Sequence, residues 1–132
     1  MTTFGTLGIA GTGLTVFRKW LDAVSDNIAN MNTATATSGE AFQARYVSVK
    51  PMDDGGVQVD QAVLSGNTTG RVVYEPNHPL ADADGNVRYP EIDLGSQMGQ
   101  LMMAQRAYQA NLAVVDRAKS SYEAALQLGR NV

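Results

Sequence analysis

The sequence has no cysteine and only a single histidine among its 132 residues. The absence of cysteine excludes a disulfide framework, thiol chemistry and cysteine-ligated metal sites. No apolar run is long enough to span a membrane. The first residues lack the basic and apolar regions of a secretory signal, so we expect no cleaved signal peptide. The net charge of −3 lacks the basic excess that general nucleic-acid binding requires.

Few residues remain from which a catalytic or metal-binding site could be built. His78 lies in a proline-flanked loop near Asp82 and Asp84. One interpretation is a metal site or a His–carboxylate pair; we favour an imidazole bonded to the backbone, because no second histidine exists. Asp82 to Gly85 resembles the start of a calcium loop, but the glycine comes early and Asp93 replaces the usual glutamate. We therefore predict no enzyme activity, no cofactor and no metal.

The longest regular pattern is at the C-terminal end, where residues 94–130 form one amphipathic stripe at alternating intervals of four and three, broken only by the polar Gln105 and Lys119. At 1.5 Å per residue such a helix is about 50 Å long. A second stripe of small apolar residues lies beside it, so the helix has more apolar surface than one partner helix covers. The seam residues predicted in this helix are Met98, Leu101, Tyr108, Leu112, Val115, Tyr122 and Leu126, preceded by Leu94.

A second amphipathic helix is predicted from Leu14 to about Asn30–Thr33, where asparagine and threonine replace the apolar pattern. The glycine-rich and threonine-rich arm Met1–Gly13 before it is expected to be poorly ordered and helical only when supported. Its glycines do not fit a phosphate-binding loop. The seam residues predicted in this helix are Leu14, Phe17, Leu21, Val24, Ile28 and Met31.

Between the helices the apolar period changes to two, which predicts short strands separated by turns. Strands are predicted at 46–50, 57–59, 62–64 and 71–74, an extended segment at 87–90, and an N-cap at Asp93. The predicted fold class is mainly α with a small antiparallel β module, and the terminal helices pair as an antiparallel coiled-coil-like unit. The predicted divisions are 1–36, 37–93 and 94–132.

Three segments resemble one protein family. Residues 25–33 (SDNIANMNT) resemble the NNIANANT box of bacterial flagellar rod and hook proteins, and residues 104–111 (AQRAYQAN) resemble their ASRAYEAN box. Residues 75–90 (EPNHPLADADGNVRYP) resemble the DPxHPDADxxGYVxYPN segment typical of the FlgC family of proximal rod proteins. The positions that carry these motifs are Asn27, Asn30, Asn32, Thr33, His78, Pro79, Asp82, Asp84, Gly85, Arg106, Tyr108 and Asn111.

The chain departs from the family pattern at a few positions. Leu80 replaces the aspartate after the His-Pro pair, Asn86 replaces an aromatic residue, and Gln97 replaces an acidic residue before Met98. None of these changes interrupts a predicted helical seam. They leave open whether the 78–90 loop makes the contacts that it makes in other members.

The resemblance implies a structural subunit of the proximal rod of the flagellar basal body. Members are exported unfolded through the flagellar type III apparatus and polymerise into a periplasmic tube that transmits motor torque. Their terminal segments are disordered in free monomers and form coiled-coil-like helices on assembly. The implied partners are copies of the chain, other proximal and distal rod subunits, the export apparatus and a membrane-ring adaptor, with no nucleic acid and no membrane span. Alternatives are a distal rod or hook subunit, a coiled-coil adaptor or export chaperone, and a small metal-dependent enzyme.

Overall fold

A computed structural model describes residues 3–130 of the chain. Two helices, α1 (Thr3–Asn30) and α2 (Leu94–Arg130), enclose four strands in sequence. The strands are β1 (Ala44–Pro51), β2 (Val57–Ser65), β3 (Arg71–Tyr74) and β4 (Asn86–Tyr89). The predicted fold class is confirmed, because the two terminal helices pack together and small antiparallel sheets lie between them in sequence.

The helix α1 begins earlier than the sequence predicts. We placed its start at Leu14, but the helix already includes Thr3 and the glycines that follow it. Neighbouring elements support this first half: Asn111 of α2 donates to the Ala10 carbonyl, and the Val57 N–H donates to Thr12 Oγ1. Tertiary packing thus outweighs the low helix propensity of glycine. The predicted helix end is confirmed at Asn30, and residues 1–2 of the predicted arm lie outside the described residues.

The long helix α2 starts where its cap was predicted. The Asp93 carboxylate accepts a 2.7 Å hydrogen bond from the Ser96 N–H, and the Asp93 carbonyl accepts one from the Gln97 N–H. This carboxylate satisfies an amide that has no partner within the helix, so it stabilises the first turn.

The two helices pack antiparallel through a narrow stripe of small and polar residues. Asn27 near the end of α1 bonds to Gln97 near the start of α2, whereas Ala10 near the start of α1 bonds to Asn111 farther along α2. Ala104 lies between these two contacts and is fully buried. We expected the large apolar seams to face each other. The seam residue Val24 is nearly fully buried, but Leu21 and Leu112 follow the contact residues Trp20 and Asn111 by one position. Small residues at the contact allow the closer approach that excludes water from it.

The strands of the predicted β module form two separate antiparallel hairpins. β1 pairs with β2, β3 pairs with β4, and no ladder joins β2 to β3. The β1–β2 hairpin lies along α1, and its Gly55–Gly56 turn contacts Ile9 and Thr12. Both turn glycines have positive φ angles, which favour glycine because it has no Cβ.

The β3–β4 hairpin attaches to the segment that follows α1. Thr35 forms a backbone bridge to Arg88 in β4, and the Arg88 guanidinium donates to the Gly39 carbonyl. Val87 is fully buried, and Ala41 is nearly so. This hairpin therefore has its own small core near the end of α1.

Candidate assembly surface

Within residues 3–130, two side-chain pairs and one bond from a side chain to a backbone carbonyl join the helices. The Trp20 Nε1–H donates to Gln100 Oε1 at 3.0 Å, and Asn27 Nδ2 donates to Gln97 Oε1 at 3.0 Å. At the other end, Asn111 Nδ2 donates to the Ala10 carbonyl at 2.6 Å. Polar bonds at a buried helix contact are directional, so they orient the pair as well as stabilise it.

Asn27 also connects α1 to the first strand. Its Oδ1 accepts from the Arg45 N–H at 2.7 Å, and its Nδ2 donates to the Arg45 carbonyl at 2.9 Å. The Arg45 guanidinium in turn lies 2.7 Å from the Asp26 carboxylate, although both side chains are partly exposed and the ion pair stabilises little. The Asn27 amide thus satisfies both backbone groups of one residue in β1, as a neighbouring strand does.

The predicted seam residues differ in their exposure. Val24 is nearly fully buried, and nine others are half-buried: Leu14, Phe17, Leu21, Ile28, Met31, Leu101, Tyr108, Val115 and Tyr122. Met98, Leu112 and Leu126 remain exposed, as does the neighbouring Leu94. Large apolar side chains therefore stay accessible to solvent along the helix pair in a single chain.

Leu14, Leu21 and Ile28 share one flank of α1, whereas Phe17 lines a cavity with Val47 and Val49 of β1. The three flank residues follow the α2 contacts by one residue, since Leu14 follows Gly13, Leu21 follows Trp20 and Ile28 follows Asn27. One residue rotates the side-chain direction by about 100°. The β1–β2 hairpin contacts α1 on the other flank, through residues such as Thr12 and Val16.

The α2 residues extend the same surface. Met98 follows Gln97 and Leu112 follows Asn111, again by one residue. In an antiparallel pair, positions that follow the contact stripe on each helix lie on the same side. We call the resulting surface the outer apolar face; it comprises Leu14, Leu21 and Ile28 of α1 with Leu94, Met98 and Leu112 of α2. This face turns away from the β1–β2 hairpin.

The His78–Pro90 segment is held by hydrogen bonds within the chain. His78 Nδ1 accepts from the Leu80 N–H at 3.1 Å, which agrees with the backbone-bonded imidazole that we favoured. Asp82 accepts from the N–H groups of Asp84 and Asn86 and from the Thr37 hydroxyl. These bonds, chiefly those from Asn86 and Thr37, hold the pKa of Asp82 below its ordinary value.

The end of this segment is tightly packed. Gly85 is buried with a φ of 79°, and a Cβ there would lie 2.8 Å from the Tyr74 ring. Tyr89 donates its phenol hydrogen to Glu75 at 2.9 Å, and this bond to the carboxylate raises the pKa of Tyr89. Among residues 3–130, no group of three or more histidine or acidic side chains is arranged to hold a metal ion.

The remaining motif residues differ in their contacts and exposure. Asn30 bonds to Asp26 one turn earlier and accepts from the Thr33 hydroxyl, so it ends α1. Tyr108 is half-buried. The side chains of Asn32, Pro79, Asp84 and Arg106 are exposed.

Sequence reasoning missed the partners of Asn27. Gln97 was noted only as a departure from a family pattern, yet it is almost fully buried against Asn27. A signal was present, because Gly13, Trp20 and Asn27 recur at seven-residue intervals, as do Gln97, Ala104 and Asn111. Only the structure shows that these two series face each other.

Comparison with known proteins agrees with the resemblance. Residues 7–37 match the family described as flagella basal body rod protein, and residues 83–128 match flagellar basal body rod FlgEFG protein C-terminal. Flagellar basal-body rod protein FlgC of Salmonella typhimurium is 34% identical over 98% of this chain and all of its own length. The chain belongs to the FlgC family of flagellar basal-body rod proteins.

More distant FlgC proteins are similar over nearly the same span. The Borreliella burgdorferi protein is 29% identical over 97% of this chain and 98% of its own length, and the Bacillus subtilis protein is 28% identical over 98% and 100%. Membership of the FlgC family makes this chain a structural rod subunit of the flagellar basal body. Within residues 3–130, neither helix has the length and apolar character needed to cross a membrane.

Proposed function

We propose that the chain is a subunit of the proximal rod that polymerises through its outer apolar face into a tube in the periplasm. The exposure of this face in the single chain supports the proposal: Met98 is 43% exposed and Leu112 is 41% exposed. Contiguous apolar side chains in contact with water are typical of protein interaction sites. Burial against a neighbour would contribute roughly 25 cal/mol per Å² of apolar area.

The proposed partners are further copies of the chain and other proteins of the basal body. The apolar surface suits a neighbour whose helices present the same kind of stripe, because ridges and grooves of such helices interdigitate. Close-packed helices around a tube resist twisting, and that stiffness suits transmission of motor torque. Passage through the flagellar type III apparatus and the absence of catalysis are parts of the same proposal.

A charge placed on the outer apolar face tests the proposal directly. Leu112→Asp and Ile28→Asp should each abolish rod assembly and swimming, because an unpaired carboxylate cannot be buried at a subunit contact. Ala113→Asp is the matched control, since Ala113 is an exposed residue adjacent to Leu112 on α2 and lies about 100° around the helix from it. Motility, basal-body isolation and the amount of soluble chain should be measured together. Normal swimming of the Leu112→Asp strain would reject this face as an assembly surface.

The loop carries a second, separate contact in the proposal. Leu80 is 43% exposed beside the exposed Pro79, so the two form a small apolar projection. The double variant Pro79→Ser and Leu80→Ser removes that projection but keeps the His78 and Asp82 side chains. We expect reduced motility with an unchanged thermal midpoint. Full motility would exclude this projection from subunit contacts.

Folding on assembly is also part of the proposal. Ordering a flexible terminus costs about 1–2 kcal/mol per residue in backbone entropy, which subunit burial must offset. Amide hydrogen exchange should therefore be slower across both helices in isolated basal bodies than in the purified chain. Equal protection in the two samples would show that the helix pair is complete before assembly.

A further inference from the structure

We propose that Asn27 and Gln97 form a register lock, meaning a pair of buried amides that allows α1 and α2 to pair in only one axial alignment. The argument rests on contacts within the single chain and does not depend on the proposed function. Asn27 is 0% exposed and Gln97 is 2% exposed, so both amides have been removed from water. A buried amide must find partners, because leaving it unpaired is costly.

The neighbouring side chains satisfy these two amides in the observed alignment. Asn27 donates to Gln97 and exchanges two bonds with the Arg45 backbone. Gln97 Nε2 donates to the Tyr46 hydroxyl at 3.3 Å. The lock therefore joins three elements, since α1, α2 and β1 each contribute a partner.

A shift of one heptad would break this arrangement. Asn27 would then face Ala104, which has no polar side-chain atom. Two further polar contacts lie on the stripe: Trp20 bonds to Gln100, and Asn111 bonds to the Ala10 carbonyl, a backbone group that every alignment offers. The other residues are small or apolar, and apolar packing alone discriminates weakly between alignments of two long helices. A single buried polar pair is known to fix register in paired helices, at some cost in stability.

The alignment determines which surface the protein presents. Leu14, Leu21 and Ile28 lie beside Met98 and Leu112 only when the two helices are in this register. A shift of seven residues moves one half of the outer apolar face by about 10 Å along the other. The lock thus makes Asn27 and Gln97 positioning residues for any partner that contacts both helices at once.

Engineered disulfides can measure the register, because the natural chain has no cysteine. In the full chain, Ala10→Cys with Asn111→Cys reports the observed alignment, and Ala10→Cys with Ala118→Cys reports a shift of one heptad. The quantity measured is the ratio of the two crosslinking rates under mild oxidation. Each pair is made in four backgrounds: the unaltered chain, Asn27→Leu with Gln97→Leu, the reciprocal swap Asn27→Gln with Gln97→Asn, and Gln105→Leu as an exposed control.

We expect the unaltered chain, the swap and the control to favour the observed alignment strongly. The leucine pair should lower the ratio about tenfold, which corresponds to about 1.4 kcal/mol. Amide exchange at Arg45 should also become faster in the leucine pair, because its N–H loses Asn27 Oδ1. An unchanged ratio in the leucine pair would overturn the proposal, as would a ratio near one in the unaltered chain. Loss of preference in the swap would show that side-chain volume sets the register instead.

Discussion

Asn111 of α2 lies directly against Gly13 of α1. A Cβ atom at Gly13 would be 2.6 Å from Asn111 Nδ2, which donates its hydrogen bond to the Ala10 carbonyl. The missing side chain at position 13 therefore makes room for a polar bond between the helices. Gly8 and Gly11, by contrast, have no neighbouring atom within 4 Å of such a Cβ.

This difference predicts opposite outcomes for two glycine substitutions in one helix. Gly11→Ala should raise the free energy of unfolding by about 0.5–1 kcal/mol, because alanine loses less backbone entropy in a helix. Gly13→Ala should show no such gain, since Asn111 must move and its bond, worth about 1 kcal/mol, is lost. Thermal unfolding followed by far-UV circular dichroism compares the two. Equal stabilisation by both alanines would contradict the contact.

Gly70 is expected to be the least replaceable glycine of the β region. Its φ is +54°, and a Cβ would lie 2.2 Å from the Tyr89 carbonyl oxygen and 2.7 Å from the Ala41 Cβ. Gly70→Ala should cost more than about 3 kcal/mol, the upper end of ordinary substitutions. Gly66→Ala is the control, because Gly66 also has positive φ but open space around it; about 1–2 kcal/mol is expected there. Denaturant unfolding of both variants measures the difference.

The Asp82 carboxylate should make stability depend on pH in the acid range. Its pKa is lowered in the folded chain, so the unfolded chain binds more protons as pH falls. Asp82 contributes to the free energy of unfolding at pH values above 3.8, its ordinary pKa. That contribution is lost as the pH falls through the lower pKa of the folded chain. Asp82→Asn keeps an acceptor at Oδ1 but does not titrate. It should flatten the loss of unfolding free energy below about pH 4, whereas Asp84→Asn should leave that loss in place.

Local features of this fold were predictable from the sequence. Asp93 is a helix cap because its carboxylate reaches an amide three residues later, and the β-branched and aromatic residues of Arg71–Tyr74 are typical of a strand. The start of α1 was not predictable in this way. Its glycines disfavour a helix, and the support comes from Asn111, which is far away in the sequence.

The contact between the helices was harder still to predict. Apolar periodicity located the large side chains and so favoured Leu21 and Leu112 as the facing residues. The structure pairs Asn27 with Gln97 instead, and leaves those leucines on the outer apolar face. Periodicity cannot distinguish an apolar stripe that packs within the chain from one that remains for a neighbour, because both avoid water for the same physical reason.

The helix α1 packs against both the β1–β2 hairpin and α2, and this arrangement has a consequence for the order of folding. The β1–β2 hairpin follows soon after α1, and the Asn27–Arg45 bonds span only 18 residues of sequence. The Ala10–Asn111 bond spans 101 residues, so it forms only after most of the chain is available. Closing so long a loop is slow because its entropy must be lost before the contact compensates for it. A chain that ends before α2 can make the early contacts of α1 but has nothing to cover its remaining face, and only the last third of the sequence completes the fold.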